Sequence, residues 1–408
     1  MSRAYISLML SVLMAATLPS TSFSHGPVDR ESEAQASQGR LFAADAATGE
    51  VIVIDLLDGD TIVRLTTPPY VMQLGLSSDG QYLFAMRGRS TDRDWVTIIH
   101  TGFDVTSDKV RPPYVARTFL GFDPGGVSNG RLATVGGKDA IFMEDTGEII
   151  VFESNGFSGF DEVEVRKYEL AAPTHYQYLE TGDNLYVGHL EQAFVQVLNR
   201  ESGAEVARIS GCTQLHGKAL DPSTGRLFFP CQTDVMVIGT QGAEANREVG
   251  RINYPDSQRV GSLLKGKDRV FWGRVEGILT MLYRLDAAHE PYAFEILPVE
   301  DSIQQNVSED GSLLLVLTKA GVLQIRDGGS GELIRTVTVS KPFDQELCEN
   351  VGKAILPDIV TLGDRAYVSL PHEGRIAVVH LSDGAVIRHL QVGGEPTRLV
   401  LVQAGGTE

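Results

Sequence analysis

The sequence predicts an all-β protein folded as a single β-propeller, and three observations predict it. A phrase of apolar strand, turn, apolar strand, Gly turn and strand opens the chain after residue 38 as Gly39–Thr66 (GRLFAADAATGEVIVIDLLDGDTIVRLT) and returns near the end as Gly374–Val392 (GRIAVVHLSDGAVIRHLQV). Self-similarity on this scale marks a repeat architecture. Candidate inner strands begin near Tyr70, Pro124, Thr174, Thr213, Gln258, Ile303, Asp358 and Pro396, at intervals of about forty to fifty residues, the length of a four-stranded blade. This spacing predicts eight blades, or seven if one short interval is a single hairpin. Finally, the last start is followed by one strand only, Thr397–Val402, while Arg40–Ala44 has no inner strand before it. Pairing the two closes the ring and leaves no open sheet edge.

Composition narrows the partners. A net charge of −18 over 408 residues argues against nucleic acid and anionic membrane surfaces, which require basic patches. It is compatible with cations. Arg3, the apolar stretch Ala4–Leu18 and the small residues Ser22 and Ser24 around Phe23 have the layout of a secretory signal peptide. The organisation expected is a signal peptide over residues 1–24, a polar mobile arm over 25–38 and a propeller domain over 39–408. The mature chain is expected in the periplasm, with no membrane span after cleavage, because no later segment approaches about 20 consecutive apolar residues. Export favours oxidised cysteines. Cys212 precedes one strand of a hairpin and Cys231 ends its partner, so antiparallel pairing predicts a Cys212–Cys231 disulfide with Cys348 left over.

Aligning two blades points to a site. His175 followed by Gly182 and Leu185-Tyr-Val superposes on His216 followed by Gly225 and Leu227-Phe-Phe. Both histidines then lie at the mouth end of inner strands of adjacent blades, and the same frame puts His189 over Cys231, at the same mouth. One blade earlier it puts Arg131 at the histidine position. Imidazoles converging from separate strands suit a zinc site with open positions. The chain contains no G-x-S-x-G, no phosphate-binding glycine loop, no H-E-x-x-H and no C-x-x-C-H, so it is not expected to be an enzyme, although lactonase-like activity stays open. His100, His289, His372, His380 and His389 read as structural or solvated positions.

The segment Cys212-Thr-Gln-Leu-His-Gly217 followed by Phe229-Pro-Cys231 resembles the pattern of periplasmic zinc metallochaperones of the AztD type, propellers related to the YVTN and lactonase-like kind. The resemblance extends through Ala140–Glu148 and Gly363–Ser369. It implies zinc as cargo, His216 and His175 as metal positions, and the solute-binding protein of a zinc ABC transporter as partner. Part of the family's histidine pattern is missing: Phe103–Asp108 lacks the expected histidine cluster, and Arg131 stands where a histidine is expected. The function expected is therefore capture and transfer of zinc by a reduced set, His175, His216 and His189. The alternatives are a lactonase-like or dehydrogenase-subunit-like propeller binding a small organic or anionic ligand anchored by Arg131, and a protein-binding scaffold.

Overall fold

A computed structural model describes residues 39–67, 71–87, 95–104, 107–126, 131–154, 157, 162–343 and 355–403. The expected signal peptide, the arm over 25–38 and Cys348 lie outside them. The described residues form eight four-stranded antiparallel sheets and one two-stranded hairpin, Phe103–Asp104 with Ser107–Val110. The protein is an eight-bladed β-propeller. Blade one pairs the inner strand Pro396–Gln403 with Gly39–Asp45, followed by Glu50–Asp55 and Thr61–Thr66. The inner strands of blades two to eight are Val71–Leu76, Arg131–Val135, Tyr176–Thr181, Ala219–Asp221, Val260–Lys265, Ser302–Val307 and Ile359–Leu362.

Each blade is covered on both faces, which explains the recurring apolar second strands. In blade four, Leu185 and Val187 pack with blade three while Tyr186, between them, packs with blade five. A strand buried on both sides reads as a continuous apolar run instead of an alternation. The Gly turn of the repeat also has one cause. In seven hairpins among the described residues, a glycine N–H donates to the carbonyl four positions back, as from Gly49 to Asp45, Gly225 to Asp221 and Gly331 to Asp327. The aspartates preceding these turns accept N–H groups two residues on, as Asp45 does from Ala47, the local competition for backbone donors that makes Asp a turn former.

Outer strands carry a second regularity. The register slips at the second residue of the outer strand in blades one, four, seven and eight, at Ile62, Val206, Ile334 and Ile387. These bulged residues are also exposed apolar positions. A bulge twists the free edge away from pairing with another chain, a standard defence of edge strands.

Two inner strands begin later than the spacing predicts. Blade three starts at Arg131 and not near Pro124, and blade five at Ala219 and not near Thr213. In blade five, Gly217 takes a left-handed φ of 95°, which a ladder residue cannot adopt, so residues 211–218 form a loop and the inner strand is three residues long. No helix among the described residues is long and apolar enough to cross a membrane.

Candidate metal site

The mouth where inner strands begin and second strands end carries a strip of side chains from blades three to six. Glu144 follows the second strand of blade three, His175 immediately precedes the inner strand of blade four, His216 stands three residues before that of blade five, and Arg259 and Glu276 flank the first hairpin of blade six. The imidazoles of His175 and His216 stack, with centroids 5.2 Å apart and planes 12° from parallel. His175 Nδ1 lies 2.8 Å from Glu144 Oε1. His216 Nδ1 donates to the Gly261 carbonyl at 2.7 Å and lies 3.6 Å from Glu276 Oε1. Nδ1 of His216 is thus hydrogen-bonded and Nδ1 of His175 lies at ion-pair distance from Glu144, while no contact is described for Nε2 of either ring among the described residues.

Local chemistry holds His216 in place. The sulfurs of Cys212 and Cys231 lie at disulfide distance, with both residues essentially unexposed. The His216 N–H donates to the Pro230 carbonyl at 3.0 Å and Gln232 N–H to Thr213 O at 2.8 Å. Arg251 closes the start of the loop, donating to Gly211 O at 3.1 Å and to Asp234 at 2.9 Å. Gly217 is required twice over: its φ is left-handed, and a Cβ there would lie 3.2 Å from the Gly261 carbonyl and the Ser262 Cα. At Gly261 a Cβ would stand 2.7 Å from Glu276 Oε1, so the bare backbone is what lets Glu276 lie across it toward His216.

Burial lowers the His216 pKa, the Gly261 carbonyl counters it, and a charge on His175 would depress it further. His216 is therefore the neutral ligand form at neutral pH. His380 is the opposite case. It is solvated, with Nδ1 2.8 Å from Asp383 and Nε2 2.7 Å from Asp364, and these two acceptors raise its pKa above 6.5. Its stabilising contribution is complete below that value and is lost as pH rises through the elevated pKa. An NMR titration of the imidazole signals should place the His380 midpoint above 6.5 and that of His216 below it; midpoints in the reverse order would contradict this geometry.

The remaining sequence candidates make no described contact with the stacked pair, although His189 ends the second strand of blade four at the same mouth, opposite Tyr176. His189 is fully buried, with Nε2 3.1 Å from Gln196 Oε1 and its ring on Phe194, 4.4 Å between centroids. The contacts described for it do not include the stacked pair. Arg131 opens the inner strand of blade three, but the register pairs Val135 with Lys138 and Thr181 with Asn184. It therefore aligns with Gln177, two residues deeper than His175. His100 is buried, stacked on Tyr114 and accepting from the Gly102 N–H. His372 packs on Phe343 and His389 lies 3.2 Å from the Val339 carbonyl. Glu144, Glu276 and Arg259 were not singled out from sequence; acidic residues ending second strands were the available signal. Among the described residues, no group of three or more His, Cys, Asp or Glu is arranged to hold a metal ion.

No family model matches the sequence. The zinc chaperone AztD of Citrobacter koseri is 24% identical over 394 residues, 90% of this chain and 87% of that protein. The solved structure of apo AztD from Citrobacter koseri superposes with a TM-score of 0.71 at 20% identity, covering 91% of this chain and 99% of that one. Dihydro-heme d1 dehydrogenase NirN in complex with DHE shares the fold at a TM-score of 0.62 and 15% identity, over 89% of this chain and 75% of its own. The chain thus resembles the zinc chaperone AztD in sequence over nine-tenths of its length, and in its propeller fold.

Proposed function

We propose that this protein is an exported zinc metallochaperone, which captures the ion in the periplasm at the His175–His216 mouth and passes it to the solute-binding protein of a zinc ABC transporter. The observation that carries the reading is the stacked pair itself: His216 Nδ1 donates to the Gly261 carbonyl and His175 Nδ1 faces the Glu144 carboxylate, the kind of surroundings that orient a ligating histidine and leave Nε2 for the metal. The likeness to the zinc chaperone AztD supports it. Two imidazoles with open coordination positions bind zinc loosely compared with a closed four-ligand site, and a carrier that hands on its cargo needs that looseness. The role is capture and transfer without bond-making chemistry. His189 stays outside the proposed donor set, because its ring is fully buried, between Phe194 and Gln196, and makes no described contact with the stacked pair.

Zinc titration against a chromophoric chelator tests the reading. The unaltered protein should bind about one equivalent, and His175→Ala and His216→Ala should each weaken binding by more than the roughly ten- to hundredfold that changes around a metal ligand cost. Zinc binding indifferent to both substitutions would overturn it.

A further inference from the structure

We propose that Arg259 is the release lever of this mouth: its guanidinium holds Glu276 away from a metal at His216, so that loading must break the Arg259–Glu276 pair and re-forming the pair expels the ion. The inference rests on the zinc reading above and adds a residue that reading does not use. Its basis is the way one carboxylate is shared. Arg259 Nε donates to Glu276 Oε2 at 2.9 Å, and a second guanidinium nitrogen contacts the same oxygen. The other oxygen, Oε1, is the one facing His216 Nδ1. Glu276 therefore stands between a cation and an imidazole, with one oxygen committed to each side.

Arg259 is also tied to the loop that carries His216, because its NH1 donates to the Gln214 carbonyl at 2.7 Å. The Glu276 N–H donates in turn to the Arg259 carbonyl at 2.9 Å, so the two residues are set opposite each other by the first hairpin of blade six and their pairing needs no movement of the backbone. A divalent cation arriving at His216 draws the Glu276 carboxylate and meets the guanidinium as a like charge. The carboxylate's attraction favours the ion but is gained only by giving up the Arg259–Glu276 pair, and the guanidinium repels the ion. These two costs oppose retention, and both grow in a half-buried mouth where screening is weaker than in bulk water. Arg259 is 22% exposed in its side chain and Glu276 37%, so the pair is neither fully solvated nor locked in the core, as an exchangeable latch requires.

The sign of the effect separates a lever from a structural part. Arg259→Gln removes the charge and keeps an amide N–H donor for the Gln214 carbonyl. The substitution should tighten zinc roughly tenfold and slow its release to a chelator in proportion. Damage to the loop could only weaken binding. Glu276→Gln should weaken zinc, and in that background Arg259→Gln should tighten it by less than in the unaltered protein, because the guanidinium's repulsion is still relieved but there is no latch left to open. Arg259→Lys, which keeps a charge but not the two-pronged grip, should tighten zinc by less than Arg259→Gln and serves if the latter does not fold. The readouts are the zinc dissociation constant and the release rate, with circular dichroism confirming the fold. Weakened or unchanged binding in the Arg259 variants, or equal tightening with and without Glu276, would overturn the lever while leaving the zinc reading standing. Absence of zinc binding in the unaltered protein would overturn both.

Discussion

Deleting Pro396–Gln403 is expected to leave the chain unable to fold, although the segment is only eight residues long. It is the inner strand of blade one, paired along its length with Gly39–Asp45 from the other end of the described chain. Leu399 and Leu401 complete the core shared with blade eight, and Val400 and Val402 the core shared with blade two. Burying such side chains is worth about 1.5–3 kcal/mol each, so the four together approach the about 5–15 kcal/mol that separates a folded domain from its unfolded chain. Deletion also leaves Gly39–Asp45 as an unpaired edge and uncovers the apolar faces of the blades on either side. The milder substitution Leu399→Ala should cost about 2–5 kcal/mol and leave a folded protein with a lower denaturation midpoint. A truncated protein that keeps a cooperative transition at the original midpoint would show that ring closure contributes little.

Removing the disulfide is the second large effect. In the chain-entropy account, a bridge closing a loop of this span, 19 residues apart, is worth roughly 3 kcal/mol. The double substitution Cys212→Ala with Cys231→Ala should lower stability by about that amount, measured by guanidinium denaturation of the variant beside the oxidised protein. A consequence for the site should accompany it. The bridge anchors one end of the loop whose other end is fixed by the left-handed Gly217 and the Gly261 contact, and His216 lies between. Zinc affinity of the still-folded variant should therefore fall by a few-fold, the penalty for ordering a ligand only on binding. Full stability in the variant, or lost stability with unchanged zinc affinity, would separate the bridge from the positioning of His216.

Repetition made the propeller legible in the sequence. An apolar run buried on both faces and a hairpin closed by Gly recur because every blade meets the same surroundings, and the orphan strands at Arg40–Ala44 and Thr397–Val402 announced their pairing. Where local backbone broke the repeat, the strand starts were missed: the left-handed Gly217 shortened blade five. The site divides along the same line. Adjacent-blade comparison led to His175 and His216 from the sequence, although the strand register aligns His216 with Tyr176, one residue deeper than His175, and His216 stands in the loop before its inner strand. Glu144, Glu276 and Arg259 could not be read that way, because they come from blades three and six, and carboxylates at strand ends are ordinarily solvated. The sequence by itself determined the ring and its closure, which follow from local pattern and strand order, and it pointed to the Cys212–Cys231 approach and to His175 and His216 as candidates. Only the tertiary structure decided which way His189 turns and which carboxylate answers each imidazole, and that Arg259 shares Glu276 with His216. Those facts depend on side-chain packing across blade boundaries, which period and register leave undetermined.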